Sequence, residues 1–184
     1  MPEKTIYADD AKEKVGFLLR LRLPWLIIGL VGGTLASFLV SRFEEILSQN
    51  ISLAFFLPLI VYMSDAVGTQ TETIFVRNLA KGKVNFLTYL IKELFIGVGL
   101  GIIFAVLIGL ITEFWIRSPE ITLTVSLAMF INVSLAPAIA IIVPEIIFKE
   151  HKDPALGAGP FTTIVQDIIS ILIYFLVAAW ILFT

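Results

Sequence analysis

The chain has no cysteine and only one histidine, His151, among its 184 residues. Without cysteine there is no disulfide framework, no thiolate metal site and no cysteine nucleophile. A lone histidine in the charged loop FKEHKD (148–153) supplies neither a histidine-rich metal site nor a histidine-based triad. Charge is scarce as well. Thirteen Lys and Arg stand against fifteen Asp and Glu, a net of −2, with no basic stripe to meet a nucleic acid. An enzyme is therefore not expected, nor a nucleic-acid partner. What fills the chain is apolar: 58% of residues, with a mean hydropathy of +0.97. That composition marks a membrane domain rather than a large buried core. No cleavable signal peptide is expected, because the first apolar run starts near Leu23, is about 19 residues long and lacks a small-residue cleavage site.

Five spans can be read in order, giving an all-α polytopic protein in contact with lipid. Residues 1–22 form a cytoplasmic amphipathic segment, whose end is expected as a short helix on the membrane surface. Residues 23–184 form the five-helix transmembrane domain. Leu23–Ser41 is uncharged, with Pro24 at its first turn and a row of Gly29, Gly33 and Ser37 suited to close packing. A loop over 43–52 carries Glu44 and Glu45, and the second span follows from about Leu53 to Ala80. Lys81–Glu93 reads as a basic connection. The third span, Leu94–Thr112, has small residues at every fourth position: Gly97, Gly101, Ala105 and Gly109. The fourth, Ile121–Val143, holds Asn132, which reads as a helix–helix hydrogen bonder, and Pro137, which should kink it. The fifth is Gly159–Phe183.

Lysine and arginine set the orientation. Eleven of them fall on the side holding the N-terminus and the second and fourth loops: Lys4, Lys12, Lys14, Arg20, Arg22, Arg77, Lys81, Lys83, Lys92, Lys149 and Lys152. Only Arg42 and Arg117 fall on the other. The N-terminus is therefore expected in the cytoplasm and Thr184 outside, in the cell membrane.

Two spans carry charge where lipid would not tolerate it. The last helix has Thr163, Asp167, Ser170 and Tyr174 at steps of four, three and four, hence on one face. The second span is interrupted by SDAVGTQTE, with Pro58 and Gly68 loosening it. Asp65, Thr69, Glu72, Thr73 and Val76 fall near one face of it. A carboxylate at membrane depth costs several kcal/mol unless water, a cation or a partner meets it. Such faces glue helices together or line a path. Counting from Pro160 and Arg77, Asp167 and Glu72 share a level about 10 Å from the cytoplasmic side, with Asp65 about 10 Å deeper. Hard divalent cations want oxygen ligands, and Mg²⁺ is often held through its hydration shell. Asp167, Asp65 and Glu72 are thus candidate metal-binding groups, with Thr163, Ser170, Thr69, Gln70 and Gly68 lining the way. With no internal repeat, a single chain cannot build a pseudo-symmetric pore, so a homodimer is expected.

At this point the residues resemble a known family. The stretch DPALGAGPFTTIVQDIISILIYF (153–175) is similar to the membrane domain of the MgtE magnesium channels and transporters. So are VGTQTETIFVRNLA (67–80), the five-span order and the Lys92–Glu93 pair. The likeness covers roughly Leu21–Thr184. It implies a homodimeric path between the second and fifth spans, Asp167 as the central ion-binding group, and a largely hydrated Mg²⁺ as the transported ion. The family's usual gate, an N-terminal domain plus paired CBS modules, is expected to be lacking, so their Mg²⁺ sensing does not carry over and a separate regulatory protein stays open. Three departures concern the path. SDAVGTQ stands where GGNxGxQ is common, Pro137 matches a fourth-span asparagine, and Gly159 replaces a polar residue before Pro160. Two rival readings use the same residues: an H⁺- or Na⁺-coupled exchanger or exporter working through Asp65 and Glu72, and a non-transporting assembly subunit.

Overall fold

An uncharged run in lipid must satisfy its own backbone, and a helix does so within the segment. The computed structural model describes residues 12–82, 85–149 and 154–183; apart from short turns these are helical, with no strand among the described residues. The helices are α1 (Val15–Ser41), α2 (Glu44–Gln49), α3 (Ser52–Ala80), α4 (Phe86–Ile116), α5 (Pro119–Lys149) and α6 (Pro154–Phe183). All but α2 are long and apolar enough to cross a membrane. The protein is a multi-pass membrane protein with the five spans read from sequence. Residues 1–11 of the amphipathic segment, Lys83, His151, Lys152 and Thr184 lie outside the described residues.

α5 is the centre. It packs against α3, α4 and α6, while α1 lies outside, against α6. Val125, Ala128, Val133, Ala136 and Ala140 of α5 are fully buried, as are Leu53 and Ile60 of α3 and Phe175 of α6. Between membrane helices there is little hydrophobic driving force, so close packing has to hold them. The row on α4 shows how. A Cβ at Gly97 would stand 2.8 Å from the Ser134 carbonyl oxygen, and one at Gly101 2.8 Å from that of Phe130. Backbone meets backbone there, and only glycine permits it. The opposite sides of α1 and α4 present Leu30, Phe95, Leu110 and Phe114, all widely exposed, as a lipid-facing surface would.

Helix ends follow local chemistry. The Asn85 side chain accepts the Thr88 N–H at 3.2 Å and caps α4. Arg117 closes α4 in the left-handed region at φ 56°. Pro154 opens α6 at a position where its missing N–H is not needed.

Several expectations need correction. The residues read as a separate surface helix continue into the first span: α1 runs from Val15 to Ser41 as one helix. Pro24 therefore lies inside α1, not at its first turn, and removes the bond to the Arg20 carbonyl. The buried small residues of α1 are Gly32 and Ala36, with Gly32 against Ile164 of α6. A Cβ at Gly29 or Gly33 would meet nothing within 4 Å, and Ser37 is exposed. The first loop contains the short helix α2. α4 starts at Phe86, so Lys92 and Glu93 lie within it rather than in a connection.

Candidate functional site

α3 and α6 run antiparallel, and polar contacts set their register. Near one end, the Tyr174 hydroxyl donates to the Leu53 carbonyl at 2.7 Å. At the middle, Gln166 Nε2 donates to the Ser64 carbonyl at 3.2 Å. Thr163 Oγ1 donates to Asp65 Oδ1 at 3.1 Å. Further along, the Glu72 carboxylate lies beside Thr162, and its Oε1 is 3.9 Å from where a Gly159 Cβ would sit. Successively later residues of α3 thus meet successively earlier residues of α6.

That register changes the levels expected from sequence. Asp65 is paired one turn before Asp167, while Glu72 sits at the level of 159–162. Asp65 and Asp167 thus lie within about a turn of each other, and Glu72 lies nearer the end of α3. The reckoning from Pro160 failed because α6 begins at Pro154. Asp167 is thirteen residues into α6 and Asp65 fifteen residues before the end of α3, each about 20 Å along. Glu72 is eight residues before that end, about 12 Å.

Helical spacing sorts the polar residues into two depths. On α3, Ser64, Gly68 and Thr71 are buried and Asp65 and Glu72 half-buried, while Thr69, Gln70 and Thr73 are exposed on the open side. On α6, Thr162, Gln166 and Ser170 follow at steps of four and are each 1% exposed. Thr163 and Asp167, one position on, are half-buried. Asp65 lies between Glu72 and Asp167 and is bonded to Thr163; Thr69, one turn after Asp65 on the same face of α3, and Gln70 beside it are exposed. Ser170 faces α5, where Asn132 Nδ2 donates to the Ala128 carbonyl at 2.9 Å and reaches the Ser170 carbonyl at 3.5 Å. Asn132 is the helix–helix hydrogen bonder its sequence context implied. The sequence reading missed Thr162 and Gln166. Their signal was their own spacing, four apart and in line with Ser170.

The electrostatics are one-sided. Asp65 lies within electrostatic reach of both Glu72 and Asp167. Among the described residues no lysine or arginine forms an ion pair with any of the three; the ion pair seen there is Lys149–Glu145, at 3.1 Å. The carboxylates do not converge tightly enough to strip an ion. Among the described residues no three His, Cys, Asp or Glu form a group that could hold a metal directly. One chain thus offers a half-open acidic strip of three half-buried carboxylates on two facing helices. A fourth carboxylate, Glu93 of α4, accepts from Thr71 Oγ1 at 3.2 Å on another side of α3.

Comparison with known proteins places this chain among relatives. The family model of MgtE, described as a divalent cation transporter, matches residues 57–177, from α3 through most of α6. A magnesium transporter MgtE of Bacillus subtilis is 33% identical over 160 residues, 85% of this chain and 36% of its own length. Its counterpart in Enterococcus faecalis is 31% identical over 161 residues, 86% of this chain and 36% of its own. That of Thermus thermophilus is 27% identical over 161 residues, 85% of this chain and 35% of its own. The chain spans about a third of the length of the curated relatives it matches. The matched span covers more than half of the chain and takes in Asp65, Glu72 and Asp167, and this chain belongs to the MgtE family of divalent cation transporters.

Proposed function

We propose that the chain forms, as a homodimer in the cell membrane, a path for a divalent cation, Mg²⁺ first. Asp167 stands at the throat, Asp65 within about a turn of it, and Glu72 closer to the cytoplasmic side, where eleven of thirteen Lys and Arg also place the N-terminus. The observation that carries this reading is the set of three half-buried carboxylates on facing helices, with no basic partner among the described residues. Groups like these cannot face lipid. A mobile cation with its water supplies the missing counter-charge, and Mg²⁺ keeps its water more firmly than other ions of its kind. The name carried by the relatives, magnesium transporter, agrees with that choice.

A second copy completes the site. One chain leaves the strip open on the side of Thr69 and Gln70, and a two-fold axis along that side doubles the carboxylates around a shared path. Thr163 then lines the path beside Asp167. Gly68 and Ser170, buried within one chain, shape the wall from behind. The test is Mg²⁺ flux into vesicles holding the purified chain and an Mg²⁺-sensitive dye. Wild-type flux should fall to the empty-vesicle level in Asp167→Ala. Undiminished flux in that variant would remove Asp167 from the path.

A further inference from the structure

Gln166 of α6 is wholly enclosed by protein, 1% exposed. Its amide lies against the backbone of α3. Nε2 donates to the Ser64 carbonyl at 3.2 Å, and the amide occupies the space a Cβ on Gly68 would need. Oε1 has no hydrogen-bond partner. A buried, half-satisfied amide is a poor choice for stability alone, since an apolar side chain would fill the same space without an orphaned acceptor. What the amide does supply is a fixed relation between two helices. Its immediate neighbour in sequence is Asp167, and the residue after Ser64 is Asp65. The Gln166–Ser64 contact therefore ties together the stretches of α6 and α3 that carry Asp167 and Asp65, each one residue away from it.

We propose that Gln166, seated in the notch left by Gly68, is a positioning residue that sets the spacing of Asp65 and Asp167 and thereby the ion selectivity of the path. The inference rests on the cation-path reading above. A hydrated ion is recognised by how far apart its water-bridged carboxylates stand, not by direct ligation, so a small shift of α6 along α3 changes which hydrated ion fits. Thr163 Oγ1, donating to Asp65 at 3.1 Å, is the second tie at this level, but it is half-buried and its hydroxyl can turn to water. Gln166 cannot turn away without entering the core. Outer groups that orient ion ligands commonly alter affinity by about 10–100-fold when removed.

Three variants break the contact in different ways. Gln166→Ala removes the side chain. Gln166→Met keeps much of its length but deletes the donor. Gly68→Ala leaves Gln166 intact and drives its amide out of the notch. Each is reconstituted as the full chain, and the Mg²⁺ and Mn²⁺ fluxes are measured across a range of concentrations. The expected result is a half-saturating Mg²⁺ concentration raised about tenfold and an altered Mg²⁺ to Mn²⁺ ratio, similar in all three. The double variant Gly68→Ala/Gln166→Ala should be no worse than either single one, because both remove the same contact. A purely structural defect would lower the number of working molecules, scaling both fluxes equally and leaving ratio and half-saturation unchanged; that outcome overturns the proposal, as does an additive double variant. Asp167→Ala is measured alongside. If it abolishes flux while the Gln166 variants keep the wild-type ratio, the positioning role fails and the path reading stands. If it leaves flux intact, the path reading itself fails.

Discussion

Replacing Tyr174 by Phe isolates one hydrogen bond between α6 and α3. The Tyr174 side chain is fully buried, and its hydroxyl donates to the Leu53 carbonyl at 2.7 Å. Phenylalanine keeps the ring and its edge contact with Phe175, centroids 5.5 Å apart at 65°. Only the hydroxyl is lost. Leu53 is the second residue of α3, so its carbonyl keeps the ordinary helical donor and is not orphaned. The loss is therefore the net worth of one interhelical bond in a membrane protein, about 0.6 kcal/mol on average and at most about 1.7. The short distance and full burial argue for the upper half of that range, about 1 kcal/mol. For a chain of this size that corresponds to a melting shift of about 2–4 °C. The assay is the loss of the monodisperse species on heating in detergent. Tyr174→Ala, which also opens a cavity, should cost about 3–5 kcal/mol. If Tyr174→Phe melts with wild type, or as low as Tyr174→Ala, the bond is not holding the two helices in register.

Other consequences can be checked with equal directness. Gly101→Val places a side chain where the Phe130 carbonyl oxygen would stand 2.8 Å from its Cβ, so α4 must move off α5; a loss of about 1–3 kcal/mol is expected, read as reduced melting temperature. The absence of cysteine makes topology easy to probe: a cysteine at Glu45 should react with a membrane-impermeant maleimide on intact cells, and one at Lys81 only after permeabilisation. Asn132→Leu removes a bond to the Ser170 carbonyl but also an orphaned Oδ1, so its stability should stay within about 1 kcal/mol of wild type by thermal melt.

The spans were legible because lipid leaves a plain mark: uncharged runs bounded by charge. Their ends were not, since helices continue past the hydrocarbon wherever nothing breaks them. α1 takes in Val15–Arg22 and α4 takes in Lys92 and Glu93 in this way. That same error misplaced Asp167 by several residues of rise. The packing row of α4 could be read outright, because Gly97, Gly101 and Gly109 leave only one small face. On α1 two rows compete, Gly29/Gly33 and Gly32/Ala36, and only the position of Ile164 decides between them. The carboxylates announced themselves by their cost in lipid. Gln166 did not, because an amide beside Asp167 reads as part of the same polar patch, although it points to a different side of the helix.

The most direct measurement of the central claim is the anomalous signal of Mn²⁺ in crystals of the dimer grown with that ion. A peak should lie on the two-fold axis at the level of Asp65 and Asp167, separated from their oxygens by intervening water and so well beyond the roughly 2.1 Å of direct ligation. Asp167 packed dry against a neighbouring helix, with no metal peak near it, would contradict the account.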